Sequence, residues 1–260
     1  MQASIRIVKT PTTQYLLRIA DTCLILGQRL GEWSGHAPML EEDIALSNMA
    51  LDLVGQARAL LTHAGTLTAG EGAVHDEDQL AFLRDEREYF NVTLAELPRG
   101  DFAFTVLRNL VLATLLKQIW QQLGNSSDPA LAAIAGQAVK EARYHQRHAA
   151  DWWVRLADGS AESRRRCAAA FGQQWRFCAE LFEPDSVDDA ALACGLGPRW
   201  EDLWPGWAAD LTPVFAKGGL PPPTWGSFRS TGKQGRHSEH MGPLLATMQS
   251  LQRSFPGGVW

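Results

Sequence analysis

The chain has 260 residues, of which 45% are hydrophobic and 20% are charged, and its formal net charge is −5 at pH 7. A chain of this length buries about 70–75% of the surface that it exposes when unfolded, so a sizeable core is available without disulfides. The ordinary composition excludes fibrous and disordered classes. The mildly acidic balance lacks the broad basic field that nucleic-acid binding requires.

Neither a membrane span nor a secretory signal is predicted. No run longer than 13 residues lacks Lys, Arg, Asp and Glu, whereas a spanning helix needs about 20 apolar residues. The N-terminal stretch MQASIRIVKTPTTQ has no apolar run and no cleavage-like site. The cysteines form no C-x-x-C pair, which indicates buried free thiols in a reducing compartment. They are Cys23, Cys167, Cys178 and Cys194. We therefore expect a cytoplasmic protein with no membrane or nucleic-acid partner.

Helical periodicity runs through almost the whole chain, and no convincing strand alternation occurs. Four long helices are predicted, at about 13–33, 38–65, 101–124 and 128–159. Asp101 is the expected N-cap of the third, and Ser127 or Asp128 that of the fourth, with Pro129 in its first turn. Short loops join each pair, and one long crossover, with short helical pieces and a loop at 66–75, joins the pairs. A single long crossover is the ferritin-like connectivity.

Additional helices are predicted after the bundle. They lie at about 160–182, 187–194, 200–215 with an interruption at Pro205, and 238–254, while 218–236 is predicted to be a loop. The predicted fold class is therefore all-α, a ferritin-like four-helix bundle with additional C-terminal helices. We expect one domain over 1–260, with the core bundle at about 12–159 and the C-terminal extension at about 160–260.

The commonest site in such a bundle is a di-iron or di-manganese carboxylate centre. It takes one Glu from each of two helices and Glu-x-x-His from each of the other two. The three-residue spacing places both side chains on one helix face. No Glu or Asp stands three residues before any of the seven histidines. The sequence therefore predicts no metal, cofactor-binding or catalytic residue in this chain. It also lacks Gly-x-Ser-x-Gly, P-loop and Gly-x-Gly-x-x-Gly motifs.

Two stretches come close to the missing motif. On the second helix, Leu53 and Gln56 have the spacing of a Glu-x-x-His pair. On the fourth helix, Glu141 stands four residues before His145, one position too far, and Ala142 occupies the ligand position. Because unpaired buried polar groups are costly, we expect His145 and Glu141 to form a buried ion pair or hydrogen bond in place of the metal.

Four long blocks resemble the non-catalytic ferritin-like subunits of bacterial phenylacetyl-CoA epoxidases. The blocks are 26–65, 76–92, 140–159 and 237–260. The resemblance implies a cytoplasmic multicomponent oxygenase of aerobic phenylacetate catabolism. It implies that a sister ferritin-like subunit holds the di-iron site and that this chain pairs with it and maintains its structure. A separate flavin and iron–sulfur reductase would deliver electrons from NADPH. By this comparison Leu53 and Gln56 replace one Glu/His pair and Ala142 replaces the Glu of the other, leaving His145.

Two other classes of function stay open. One is a stand-alone metal-dependent oxidoreductase with an unorthodox site built from Glu32, Glu141, His145 or the cluster at 237–240. The other is a self-associating helical scaffold, and a homodimer is also conceivable for a subunit purified without its partner.

Three further clusters have a functional and a structural interpretation. His145, His148 and Asp151 could bind zinc. Their positions rotate around the helix axis by too much for one tight site, however, and His148 is expected to face solvent. The stretch from His237 to His240 fits a helix N-cap better than a ligand set.

The run 164–166 of three arginines is a solvated face or a contact for CoA phosphates. Eight of the ten tryptophans lie at or after Trp152, which favours a C-terminal cover over the bundle or a docking surface.

Overall fold

The computed structural model describes residues 3–67 and 75–258. These residues contain no β-strand, only isolated bridges between Ile5 and Arg84 and between Thr231 and Arg236. The predicted all-α, ferritin-like fold is confirmed, whereas the loop predicted at 66–75 lies mostly outside the described residues. The helices are α1 (Pro11–Gly31), α2 (Leu40–Leu67), α3 (Glu77–Phe82), α4 (Thr93–Glu96), α5 (Phe102–Leu123), α6 (Pro129–Ala157), α7 (Ala161–Gln174), α8 (Ser186–Ala193), α9 (Trp204–Lys217) and α10 (Met241–Ser254).

Helices α1, α2, α5 and α6 form the bundle. Helix α1 packs along α2, α5 packs along α6, and α2 also packs on α6. The predicted caps of the second pair are confirmed. The Asp101 carboxylate accepts a hydrogen bond from the Phe104 backbone N–H at 2.8 Å, and Asp128 accepts from Ala130 and Leu131. Each cap satisfies backbone donors that have no partner within the helix.

The second helix ends later than predicted. Gly65 is a typical residue after a helix C-terminus, yet α2 continues to Leu67. A Cβ atom at position 65 would stand 2.3 Å from the carbonyl oxygen of His75. The glycine therefore admits the close approach of the returning chain and does not end the helix.

Helix α5 is the one described segment that is long and apolar enough to cross a membrane by length and composition, with a mean hydropathy of 1.4 in its most apolar window. It carries Arg108 and Lys117, but 89% of that window is buried inside the protein. Its apolar character follows from its central place in the bundle, where it contacts α6, α7 and α9.

The C-terminal helices cover the bundle. Helix α8 packs on α1, α7 on α5, and α9 on both α5 and α6. The helix predicted at 160–182 divides into α7 and a 3₁₀ helix, Trp175–Phe182. The helix predicted at 200–215 likewise divides next to Pro205, into a 3₁₀ helix, Trp200–Leu203, and α9, whose first turn contains this proline. Most of the late aromatic residues form one cluster of edge-on and stacked rings, which includes Trp153, Phe171, Trp175, Phe182, Trp204, Trp207, Phe215 and Trp225.

Two buried charged residues of α1, Arg18 and Asp21, form ion pairs with distant segments. Asp21 pairs with Arg84 of the crossover, and neither side chain is exposed. Arg18 pairs with Asp188 of α8 at 2.6 Å and with Asp185 at 2.7 Å. The α1 side chains thus fix both the crossover and the C-terminal extension.

The cysteines follow the prediction with one exception. Cys23, Cys167 and Cys178 are buried free thiols, whereas Cys194 is exposed. Burial raises the pKa of Cys167 to about 11 and raises the pKa values of Cys23 and Cys178 still further. These three thiols are therefore poorly reactive.

Candidate functional site

The positions at which the family resemblance implies di-metal ligands are occupied by residues that pack with one another. Leu53 and Ala142 are each 1% exposed, and Cys23 of α1 is fully buried. The Gln56 side chain joins three helices, because its amide accepts from the Cys23 thiol at 3.6 Å and donates to Glu141 at 2.8 Å. The polar atoms that remain at this level of the bundle are thus bonded to one another.

A row of polar pairs runs along the contact between α2 and α6, which we call the α2/α6 seam. The helices are antiparallel here, since the numbering of the partners falls on α6 as it rises on α2. The four pairs are Glu42–His148 at 2.9 Å, Asp52–His145 at 3.0 Å, Gln56–Glu141 at 2.8 Å and His63–Asp128 at 2.6 Å. The seam supplies the side-chain bonds between these two helices that bound metal ions would otherwise supply.

The protonation states of the seam side chains follow from their burial and from their hydrogen-bond partners. Burial lowers the pKa of His145 below its ordinary value, and this effect outweighs the attraction of Asp52. His145 is therefore stable as a neutral imidazole that donates to Asp52, and stability is lost as the pH falls below the ordinary histidine pKa. Burial alone would raise the pKa of Asp128, but hydrogen bonds from Leu131 and His63 lower it.

The structure changes two expected contacts at the seam. His145 bonds Asp52 and not Glu141, because Glu141 turns toward Gln56. His148 does not face solvent, since its side chain is only 14% exposed and bonds Glu42. Its other proposed zinc partner, Asp151, is exposed.

The alternative metal candidates are not brought together. Glu32 caps the end of α1 and pairs with Arg29 at 2.6 Å, while Glu141 and His145 lie in the seam with separate partners. Among residues 3–67 and 75–258, no group of three or more His, Cys, Asp and Glu side chains is placed to hold a metal ion. The residues at the di-metal positions therefore do not fit a di-iron centre, because leucine and alanine offer no donor and Gln56 is already bonded.

The seam opens to the surface through a shallow apolar groove. This cavity of about 250 Å³ is lined by Leu51, Asp52, Gln56, Ala138 and Glu141, among others.

The cluster at 237–240 has a different role from the predicted N-cap. Helix α10 begins only at Met241, and the fully buried His237 side chain bonds the fully buried Glu96 of α4 at 2.7 Å. The other ring nitrogen of His237 donates to the Tyr89 carbonyl oxygen at 3.0 Å, and the Ser238 N–H donates to Glu96 at 2.6 Å. Since both ring nitrogens face acceptors, His237 is an imidazolium in a buried ion pair.

This ion pair predicts a pH dependence of stability. Burial alone would lower the pKa of His237, but the hydrogen bond and charge of Glu96 raise it above its ordinary value. A raised pKa contributes stability that is complete below the ordinary histidine pKa and is lost as the pH rises through the raised value. We expect His237→Gln to cost about 1–2 kcal/mol of unfolding free energy near pH 6 and clearly less near pH 9. Urea unfolding across this range tests it, with the exposed His36→Gln as control. A cost that does not change with pH would contradict the prediction.

The arginine run at 164–166 is mostly engaged within the protein. Arg164 donates to the carbonyl oxygens of Ala157, Gly218 and Gly219. Arg165 and Arg166 are exposed and pair with Glu162 at 2.8 Å. Two of these arginines therefore form a solvated helix face, and the third binds the chain after α9.

Three residues of the seam, Glu42, Asp52 and His63, escaped the sequence argument, and so did Cys23 of α1, whose thiol donates to the seam residue Gln56. A signal for two of them was available. The spacing 141, 145, 148 lies on one face of α6, and positions 42, 52 and 56 fall near one face of α2. Matching polar faces on two helices would have indicated the seam, whereas Cys23 gives no such signal.

These features define a class: a ferritin-like all-α protein in which Leu53, Gln56 and Ala142 stand where the resemblance implies metal ligands. The chain belongs to the family described as Phenylacetic acid catabolic protein, which it matches over residues 2–260. It is 46% identical over 248 residues to the subunit designated C of the 1,2-phenylacetyl-CoA epoxidase of Escherichia coli (strain K12), and the match covers 95% of this chain and 98% of that relative. The resemblance inferred from the four sequence blocks is thus confirmed.

Proposed function

We propose that the chain is the structural, non-catalytic subunit of a multicomponent phenylacetyl-CoA 1,2-epoxidase of aerobic phenylacetate catabolism. It pairs with the ferritin-like subunit that carries the di-iron centre and stabilises that subunit, and it is not an enzyme on its own. The observation that carries this proposal is the chemistry of the residues beside the α2/α6 seam: Leu53 and Ala142 offer no donor, and Gln56 is bonded to Glu141, at the positions where the resemblance implies metal ligands. The relative's name as a subunit of an epoxidase supports the same assignment.

An exposed apolar stripe on α2 supports the pairing. Leu40, Ile44 and Leu51 are 72%, 54% and 69% exposed, and their spacing places them within about 40° of one another around the helix axis. Met39 and Tyr144 lie exposed as well, and the Tyr144 ring is 6.1 Å from that of His145. A row of large apolar side chains in water marks a protein interface. Because the seam holds α2 rigidly on α6, this stripe offers a fixed surface to the ligand helices of a partner.

The cofactors of the reaction belong to other chains in this proposal. The di-iron centre is held by the catalytic subunit, and flavin and iron–sulfur groups are held by a reductase that takes electrons from NADPH. The complex works in the cytoplasm, without a nucleic-acid or membrane partner. The contribution of this chain is mechanical, since a metal site works only when its ligands are held within about 0.5 Å of the productive geometry.

Co-purification with a di-iron subunit of the same family tests the proposal. We expect the wild-type chain to form a stable complex that carries about two iron ions per catalytic subunit. The double variant Ile44→Asp/Leu51→Asp is expected to lose the complex, because two carboxylates would be buried in an apolar interface. The catalytic subunit should then lose solubility or iron.

The matched control is Leu192→Asp/Leu251→Asp, which changes two side chains of similar exposure on α8 and α10. This variant should keep the complex. Three results would refute the proposal: a catalytic subunit that is soluble and fully active alone, near-stoichiometric iron or manganese in the purified chain itself, or a homodimer that ignores the catalytic subunit.

A further inference from the structure

An open cavity of about 610 Å³ lies far along the chain from the seam residues, between the N-terminal segment, the 3₁₀ helix Glu86–Glu88 and the turn at 232–237. Its volume falls within the range of small-molecule sites, about 300–1000 Å³. The charged groups of its lining are Lys9, Arg87, Arg236 and His237, against the single acid Glu86. Because the whole chain has a net charge of −5, this cationic lining is not a by-product of composition.

Two of these cations are available to a ligand. Arg87 and Arg236 are exposed, and neither guanidinium forms an ion pair or hydrogen bond with another residue in the described part of the chain. Lys9 is held at the cavity by Glu88, whose carboxylate lies 2.9 Å from its ammonium group. The His237 side chain is fully buried and bonds Glu96 at 2.7 Å and the Tyr89 carbonyl oxygen at 3.0 Å, so it offers no free donor to a ligand.

The backbone holds the two arginines on facing segments. Gly235 has a left-handed φ of 76°, and a Cβ atom there would stand 2.6 Å from the carbonyl oxygen of Arg87. Only glycine therefore lets the turn lie directly on the 3₁₀ helix. The turn is closed by the Arg236 N–H, which donates to the Thr231 carbonyl at 3.2 Å. Both guanidinium groups are thus attached to fixed backbone at one cavity.

We propose that this cavity binds the phosphate groups of a phosphorylated small molecule, with Arg87 and Arg236 as the principal ligands. Guanidinium groups bind phosphate oxygens through paired, charge-assisted hydrogen bonds. The ligand class in this proposal is an organic phosphate, because an open cavity of about 610 Å³ leaves room beside a phosphate group for a non-phosphate part. The inference does not rest on the proposed pairing, because the site is complete within this chain.

Calorimetric titration of the purified chain at low ionic strength tests the proposal, with ADP and inorganic pyrophosphate as probes. We expect ADP to bind at least as tightly as pyrophosphate, and added salt to weaken both. The variant Arg87→Gln/Arg236→Gln should weaken binding of both probes by at least about tenfold. Since both side chains are exposed, its unfolding midpoint should match the wild type.

The control variant Arg165→Gln/Arg166→Gln removes the same charge from an exposed face. It should leave the affinity within about twofold of the wild type. The proposal is overturned if neither probe binds, if the cavity variant binds as well as the wild type, or if the control loses as much affinity. Binding of pyrophosphate but not of ADP would contradict the proposal that the ligand is an organic phosphate.

Discussion

Replacement of Asp21 by alanine is expected to lower the free energy of unfolding by about 3–5 kcal/mol. Asp21 bonds both terminal nitrogens of Arg84 and accepts from the Phe90 backbone N–H at 2.9 Å. Neither charged side chain is exposed. Without its partner, the guanidinium would be left as an uncompensated buried charge, which costs far more than the pair itself contributes.

Urea denaturation of three variants separates this mechanism from simple loss of packing. The exposed Asp151→Ala on α6 is the control and should change the unfolding free energy by less than about 0.5 kcal/mol. The double variant Asp21→Ala/Arg84→Met removes both charges and should be more stable than Asp21→Ala alone. A single variant that loses less than about 1 kcal/mol, or a double variant less stable than Asp21→Ala, would show that the buried charge does not dominate.

Ala142→Glu returns a carboxylate to a metal-ligand position, and we expect it to destabilise the protein by at least about 3 kcal/mol. Ala142 is 1% exposed, and the new side chain would lie beside Glu141 and near Asp52. An added carboxylate there is buried, has no free donor to bond and meets carboxylates of the same charge.

The matched control is Ala133→Glu, which makes the same change at an exposed position of α6. This control should leave the free energy of unfolding nearly unchanged. Thermal unfolding is then repeated with added Mn²⁺ or Fe²⁺. Because Leu53 and the bonded Gln56 leave the rest of the ligand set absent, neither ion should restore the stability of Ala142→Glu. Recovery to the wild-type midpoint would mean that the bundle retains a usable metal site.

The long helices could be predicted because their signals are local. Asp101 and Asp128 each cap the helix that begins at the next residue, and the apolar periodicity of the bundle helices needs no knowledge of partners. The missing metal motif could be recognised for the same reason, since Glu-x-x-His spacing is a property of one helix.

The contacts that replace the metal could not be predicted in the same way. His145 was expected to bond Glu141 on its own helix, whereas its partner is Asp52 of α2, and this contact depends on how α2 is rotated against α6. The role of Gly65 depends on a carbonyl beyond the end of its helix. The pair of Glu96 and His237 joins positions that are 141 residues apart, and no local pattern connects them. Long-range polar contacts depend on how the helices pack, and the apolar periodicity of a single helix does not determine that packing.

That distance along the chain also fixes an order of events during synthesis. His237 is synthesised 141 residues after Glu96, so their hydrogen bond forms late. Glu180 accepts from the Thr93 and Lys233 backbone N–H groups, and its bond to Lys233 likewise forms only after that residue has been synthesised. The α1–α2 and α5–α6 hairpins have local contacts that can form early, whereas the bonds of Glu96 and Glu180 to the segment at 230–240 can form only after that segment has been synthesised. The segment at 230–240 therefore completes the hydrogen bonding of two buried carboxylates.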